Sequence, residues 1–260
     1  MYIALNLSLI SVATNYARGS MLTTLNLRLA SLASANNAAH LSRFFKTGPG
    51  HYGEGDIFRG IRVPVLRTLV REFSELPIEQ SLCLLQSTYH EDRVLALLIW
   101  VYQFKRGDEY QQSAIYNLYL TNTARINNWD LVDLSAAQIV GAFLIHKPRT
   151  ILYKLAKSAM LWERRIAVIA TFHFIKYGEY ADTLKLCELL IVDKHDLMHK
   201  ACGWMLREVG KRGGLPQLLR FLDRYAATMP RTMLRYALEH LDAAQKKHYM
   251  TLKQKTANYH

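Results

Sequence analysis

Five segments of this sequence share the pattern of a helix start, and they recur at intervals of 32 to 40 residues. In each segment a charged residue is followed within three positions by an alanine; these charged residues are Arg93, Asp133, Arg165, Lys200 and Arg235. A period of this length is typical of two-helix HEAT-type repeats, in which each pair of helices buries its apolar face against the next pair. The sequence therefore predicts an all-α fold, an α-solenoid of HEAT-like helical repeats.

Apolar spacing and helix breakers support the same fold. Apolar residues recur at spacings of three and four, and no long stretch alternates with the period of two that strands require. Four prolines are placed to suit the first turn of a helix: Pro64, Pro77, Pro148 and Pro230. We expect helices of roughly 10 to 20 residues between these breakers.

The chain is strongly basic, with a formal net charge of +12 over 260 residues. Residues 200–260 contain twelve Lys or Arg against four Asp or Glu, so the excess is concentrated near the C-terminus. A solubilising surface usually balances its charges, whereas an excess of one sign favours a polyanionic partner. If the charged repeat positions line the concave side of the solenoid, they form a basic groove that holds a DNA backbone with little sequence preference.

The domain prediction places one repeat domain at residues 21–250, an N-terminal extension at 1–20 and a C-terminal tail at 251–260. The stretch Ile3–Ala13 is apolar enough to resemble part of a signal peptide, but no Lys or Arg precedes it. We expect residues 1–20 to be a weakly ordered extension or to precede the natural start at Met21. No uncharged apolar run is long enough to predict a membrane span.

Neither a metal nor an organic cofactor is predicted. Cys83, Cys187 and Cys202 show no spacing that would hold zinc, and they are interpreted as buried thiols in the cytoplasm. His195 and His199 are four residues apart, but no third ligand follows.

Three tryptophans lie one helical turn from a charged residue of the repeat pattern. Trp129 precedes Asp133 by four, Trp162 precedes Arg165 by three, and Trp204 follows Lys200 by four and precedes Arg207 by three. Aromatic faces stabilise positive charge, and a carboxylate stabilises a sugar cation. This combination matches hydrolysis of a bond to a cationic leaving group. Taken singly, each residue is better explained by packing or by the helix dipole; recurrence of the arrangement favours function.

Four segments resemble signature blocks of the DNA alkylation repair (AlkD-like) family of HEAT-like repeat DNA glycosylases. They are Asn127–Asp133, Leu161–Ala167, Lys200–Glu208 and Met229–Ala237. The resemblance spans about Met21 to Tyr249 with the order and spacing of the family. It implies excision of 3-methyladenine and 7-methylguanine type lesions from double-stranded DNA without a metal or an organic cofactor. We expect the protein to be a monomer.

The resemblance also implies roles for individual residues. Asp133 matches the catalytic carboxylate, Trp129 and Trp204 match aromatics that contact the lesion-bearing nucleotide, and Arg165 matches a DNA-contacting arginine near the active site. Further basic residues are predicted to contact the DNA backbone: Arg62, Arg93, Arg164, Lys200, Arg207, Arg231 and Arg235.

Two features differ from the best-known family members. The segment Gly48–Asp56 is longer and richer in glycine than the corresponding helix connection, so it is either a subgroup loop or a simple linker. Arg62 stands where another member has an uncharged polar residue, which leaves its DNA contact open.

Two other functions are weighed against the glycosylase. The first is a catalytically silent protein that binds bent or branched DNA. The second is a helical scaffold for partner proteins, which is the usual role of HEAT-like arrays. The net charge argues against the scaffold, and the Trp129, Asp133, Arg165 and Trp204 set argues against the silent binder.

Overall fold

The computed structural model describes residues 21–252, and the regular secondary structure in that range is helical. An isolated bridge joins Ile57 and Tyr89, and no strand forms within these residues. The all-α prediction is confirmed. The predicted N-terminal extension and most of the predicted tail lie outside the described residues.

The described residues form two compact units, residues 21–131 and residues 132–252. Unit 1 contains the helices α1 (21–31), α2 (Ala35–Phe44), α3 (Val63–Glu72), α4 (Ile78–Leu85), α5 (His90–Arg106) and α6 (Glu109–Thr121). The next helix, α7 (Trp129–Ala136), begins in unit 1 and continues into unit 2. A π-helical turn (Ala137–Gly141) follows it directly. Unit 2 then contains α8 (Thr150–Leu155), α9 (Leu161–Ala170), α10 (Phe172–Lys176), α11 (Ala181–Leu189), α12 (Asp196–Lys211), α13 (Leu215–Tyr225), α14 (Arg231–Ala237) and α15 (Ala243–Thr251).

The predicted repeat starts coincide with helix starts. Helices α5, α7, α9, α12 and α14 begin at residues 90, 129, 161, 196 and 231, so they recur every 32 to 39 residues. In each of them the charged residue of the repeat pattern is the fourth or fifth residue of the helix. Pro64 lies in the first turn of α3, and Pro77 and Pro230 are the N-cap residues of α4 and α14. Pro148 lies two residues before α8.

Helix α5 is the core element of unit 1. It packs against α3, α4 and α6, and its Trp100 is fully buried with the indole N–H donating to the Ser81 hydroxyl at 2.7 Å. Glu91 and Asp92 lie in its first turn, and Lys105 and Arg106 lie in its last turn. This charge order complements the helix dipole.

Helix α12 has the corresponding position in unit 2, where it packs against α9, α11, α13 and α14. Its contact with α14 depends on Gly203, because a Cβ atom there would lie 2.6 Å from the Met233 carbonyl oxygen and from the Tyr236 Cβ. Neither atom belongs to the end of a flexible side chain. The two helices can therefore approach this closely only because residue 203 has no side chain.

None of the helices between residues 21 and 252 combines the length and the apolar character that crossing a membrane requires.

Gly203→Ala should destabilise the protein by about 1 to 3 kcal/mol, because the added methyl group overpacks the contact with the α14 backbone. Gly210→Ala is the matched control on the same helix: its Cβ would meet only the end of the Leu218 side chain, which can move. This control should be neutral or stabilising, since alanine is the better helix former by about 1 kcal/mol. Urea unfolding of the variants measures both effects; equal stability of the two would contradict the close contact.

Candidate active site

Asp133 and Arg165 form a two-pronged ion pair in unit 2. The Arg165 Nε donates to Asp133 Oδ1 at 2.9 Å, and the Arg165 Nη2 donates to Asp133 Oδ2 at 2.8 Å. The third guanidinium nitrogen donates to the carbonyl of Leu197 near the start of α12. Paired hydrogen bonds of this kind fix the carboxylate in direction as well as in position. The Asp133 side chain remains 18% exposed, whereas the Arg165 side chain is only 6% exposed.

The burial of Arg165 corrects its predicted role. The resemblance matched this arginine to a DNA-contacting residue of the active site, but its guanidinium is enclosed and is hydrogen bonded to Asp133 and to Leu197. It therefore holds the carboxylate and has little surface left for a phosphate. The carboxylate is the member of the pair that reaches solvent.

Trp204 lies half-buried on α12 beside Phe172, the first residue of α10. The two ring centroids are 6.0 Å apart and tilted by 41°. The Lys176 Nζ lies 4.6 Å from the centroid of the Phe172 ring, and the Arg212 guanidinium lies 5.2 Å from it. Aromatic rings and cations are thus neighbours on this part of unit 2, but the cations are Lys176 and Arg212 on the Phe172 ring, whereas the sequence pattern paired Trp204 with Lys200 and Arg207. Trp162, in contrast, is buried in the core.

Trp129 belongs to an aromatic cluster in unit 1. Its ring stacks on Phe45 at 5.3 Å, and Phe44 meets it edge-on at 6.0 Å. Phe45 in turn stacks on Phe58 at 5.3 Å, and both rings pack against the imidazole of His90 at 4.9 and 4.8 Å. The start of α7 is therefore fixed by aromatic packing as well as by its backbone.

A buried charge network lies beneath this cluster, with His90 between two carboxylates. Its Nδ1 is 3.1 Å from Asp56 Oδ2, and its Nε2 is 2.8 Å from Asp130 Oδ2. Burial lowers the pKa of His90, but the hydrogen bonds with Asp130 and Asp56 outweigh burial and raise the pKa to about 9. Burial raises the pKa of Asp56, but the hydrogen bond with His90 and the positive charge of Arg93 outweigh burial and hold that pKa below its usual value. The network therefore carries charge at neutral pH.

Arg93 belongs to this network, which makes its predicted contact with DNA wrong. Its side chain is 3% exposed and is paired with Asp56, and a second guanidinium nitrogen donates to the carbonyls of Ser87 and Thr88. The same ion pair holds Asp56, the last residue of the glycine-rich segment Gly48–Asp56, in place. Asp56 also accepts a hydrogen bond from the Asn128 amide, one residue before Trp129. The segment is thus anchored to the start of α7.

The other basic residues predicted to bind DNA differ in their surroundings. Arg164 is paired with Asp193 and donates to the carbonyls of Ser158 and Ala159. Arg207 is paired with Glu239 and Glu208, Lys200 with Asp196, and Arg231 donates to the Met250 carbonyl. Arg62 and Arg235 are exposed. The DNA contacts of these six residues remain predictions.

Among residues 21–252, no three His, Cys, Asp or Glu side chains are grouped so that they could hold a metal ion. Cys187 and Cys202 are buried, but Cys83 is exposed, which corrects the interpretation of that thiol.

Sequence reasoning missed the partners of the predicted site residues. His90 and the neighbouring acidic residues stood inside a recognised repeat segment, but only Arg93 was singled out. Phe44 and Phe45 are adjacent aromatics at the end of α2, and Phe172 follows α9 closely. Aromatic residues at helix ends were the available signal, yet only tryptophans were considered.

Fold and site together define an all-helical repeat protein in which a buried arginine presents a partly exposed aspartate. A model of the family described as "DNA alkylation repair enzyme" matches residues 25–241. The chain belongs to this family, which confirms the resemblance seen in the sequence.

A solved structure described as a predicted DNA alkylation repair enzyme from Enterococcus faecalis has a similar fold. Its TM-score is 0.62 at 18% sequence identity, and the match covers 81% of this chain and 97% of that chain. A search of curated proteins gave no match.

The His90 network makes stability depend on pH. Because the folded-state pKa is about 9 and the ordinary value is 6.5, the stabilisation is fully present below pH 6.5 and is lost as pH rises through 9. The loss should approach about 3 kcal/mol by pH 10, at about 1.4 kcal/mol per pKa unit. Urea unfolding between pH 7 and 10 measures it.

Other groups also titrate in this range, so the test compares variants. His90→Gln should remove most of the pH dependence, whereas the exposed His51→Gln should keep it. The same slope in wild type and His90→Gln would contradict the assignment of charge to His90.

Proposed function

We propose that this protein is a DNA glycosylase that hydrolyses the N-glycosidic bond of cationic alkylated purines, of the 3-methyladenine and 7-methylguanine type, in duplex DNA. Membership in the DNA alkylation repair family supports DNA as the substrate. The observation that carries the proposal is the Asp133 carboxylate, which is held by the buried Arg165 and still reaches solvent.

The chemistry of the substrate explains why one carboxylate suffices. An alkylated purine already has a positive charge, so it leaves as a neutral base without being protonated first. As the bond from C1′ to the purine nitrogen breaks, its electron pair goes to the base and positive charge develops on the sugar. A fixed carboxylate stabilises that charge because it is oriented before the reaction begins.

Water completes the reaction at C1′. In the proposed mechanism, the attacking water donates a hydrogen bond to Asp133, forms the new C1′–O bond and passes its proton to the Asp133 carboxylate, which returns it to solvent. Arg165 acts as a positioning residue, because it touches the carboxylate and not the substrate. The products are the free base and an abasic site in the duplex.

Trp129 and Trp204 are proposed to contact the lesion-bearing nucleotide through the electron-rich faces of their rings. Backbone phosphates are assigned to Arg62, Arg164, Lys200, Arg207, Arg231 and Arg235, whose contacts would make affinity sensitive to salt. We expect the protein to act as a monomer in the cytoplasm, without a metal or an organic cofactor.

One observation favours a different function, a catalytically silent protein that binds bent or branched DNA. Both oxygens of Asp133 already accept hydrogen bonds from Arg165, so the pair can be explained as a structural link between helices. On that account the protein retains DNA binding and releases no base.

Asp133→Asn should reduce release of 3-methyladenine and 7-methylguanine from methylated duplex DNA by roughly a hundredfold or more, because the stabilising charge is lost. Asp193→Asn is the matched control: Asp193 pairs with Arg164, the residue next to Arg165, and is also largely buried. It should retain release. Chromatography of the released bases measures both variants.

Two results would count against the glycosylase. Undiminished release by Asp133→Asn would exclude this carboxylate from the chemistry. No release by the wild type, combined with tight binding to branched duplexes, would favour the silent binder.

A further inference from the structure

The aromatic cluster of unit 1 reaches solvent mainly through a residue that the sequence did not single out. Trp129 is half-buried, with Phe45 stacked against it at an angle of 26° and Phe44 meeting it at 67°. Phe45 is buried, but Phe44 is 56% exposed. A molecule that approaches this cluster therefore meets Phe44 beside Trp129.

The helix that carries Phe44 ends with a lysine at a position that is usually glycine. The N–H of Thr47 donates to the Ser42 carbonyl, and the N–H of Lys46 donates to the Arg43 carbonyl. This is the Schellman pattern of a helix C-terminus, in which the residue at the position of Lys46 adopts left-handed backbone angles and is usually glycine. Lys46 has a φ of +53° and, among the described residues, is the one non-glycine residue with a positive φ.

A lysine at this position is a poor choice for stability, since its Cβ is strained where glycine is not. What it supplies is charge. Arg43 and Lys46 are both exposed and lie on either side of the Phe44–Phe45 pair in the sequence. The end of α2 therefore presents an exposed aromatic ring between two exposed cations.

We propose that the end of α2, residues Arg43–Lys46, is a DNA-contacting element. In it Phe44 packs against the alkylated nucleotide beside Trp129, and Lys46 and Arg43 bind the adjacent phosphates. The part that concerns the alkylated nucleotide rests on the proposed function, whereas the contact with duplex DNA does not.

Three observations select DNA as the occupant. The flanking charges are both positive, the whole chain has an excess of twelve positive charges, and the chain belongs to a DNA repair family. An aromatic ring adds what a phosphate contact lacks, because it attracts the positive charge of the alkylated base and packs on the sugar. Phe44 is accordingly a residue that distinguishes a cationic lesion from a normal base.

The experiment for Phe44 measures binding and not base release. It uses Asp133→Asn protein and two duplexes that differ only in one 7-methylguanine, with dissociation constants from fluorescence anisotropy. Phe44→Ala should weaken binding of the methylated duplex by roughly tenfold, the loss typical of one aromatic contact with a nucleotide. It should weaken binding of the unmodified duplex by a smaller factor.

Two further variants make this result specific. Phe44→Tyr keeps the ring and should retain binding. Tyr110→Ala removes a ring that is 84% exposed on α6 of the same unit, and it should leave both dissociation constants unchanged. Unchanged binding by Phe44→Ala, an equal loss on both duplexes, or an equal loss in Tyr110→Ala would overturn the role of Phe44.

Lys46 allows a test in which stability and binding change in opposite directions. Lys46→Gly should raise the melting temperature because the backbone strain is relieved. It should nevertheless weaken binding of both duplexes. The slope of the logarithm of the binding constant against the logarithm of the salt concentration should become shallower by about one. Lys46→Arg should keep both properties of the wild type. Wild-type affinity in Lys46→Gly would overturn the phosphate contact.

These binding measurements are independent of the proposed reaction. If wild-type protein releases no base but Phe44→Ala and Lys46→Gly lose affinity as described, the glycosylase proposal fails and the DNA-contacting element stands. If base release is confirmed while both variants bind normally, the element fails alone.

Discussion

The ion pair between Arg165 and Asp133 joins the starts of successive repeat helices, and the rest of unit 2 depends on this kind of link. Arg165 on α9 holds Asp133 on α7 and also donates to Leu197 near the start of α12. In unit 1, His90 on α5 holds Asp130 near the start of α7 in the same manner. Removing one partner would leave a buried charge unpaired, which costs far more than the pair contributes to stability.

The same kind of link keeps two of the five repeat charges, Arg93 and Arg165, away from solvent. Arg93 and Asp56 are enclosed, with side chains only 3% and 4% exposed, so their charges serve the fold. Asp133 is different because its side chain is 18% exposed while its guanidinium partner is buried. A developing sugar cation is stabilised by a carboxylate that a buried partner holds in place and that still has an exposed surface for the substrate.

The sequence predicted what depends on local pattern. Helix starts and the repeat interval could be inferred because caps, prolines and apolar spacing act over a few residues, and the family followed from the resemblance of four short segments. The partners of Arg93 and Arg165 could not, since Asp56 and Asp133 lie 37 and 32 residues away. Arg93 was expected to face DNA from its place in the repeat pattern and Arg165 from the family resemblance, but neither shows which side of the helix a charge occupies. Phe44 was missed because it is not a tryptophan and lies outside the repeat pattern.

The central claim is that Arg165 positions Asp133 for catalysis, and Arg165→Lys tests it most directly. Lysine keeps the positive charge but cannot form the paired hydrogen bonds that fix both carboxylate oxygens. The measurement is the single-turnover rate of 7-methylguanine release at saturating protein, beside the affinity for the same duplex and the circular dichroism spectrum. We predict a rate at least roughly tenfold below that of the wild type, since a misplaced catalytic group loses much of its effect, with affinity and helix content retained. A folded Arg165→Lys variant that releases the base at the wild-type rate would contradict the account.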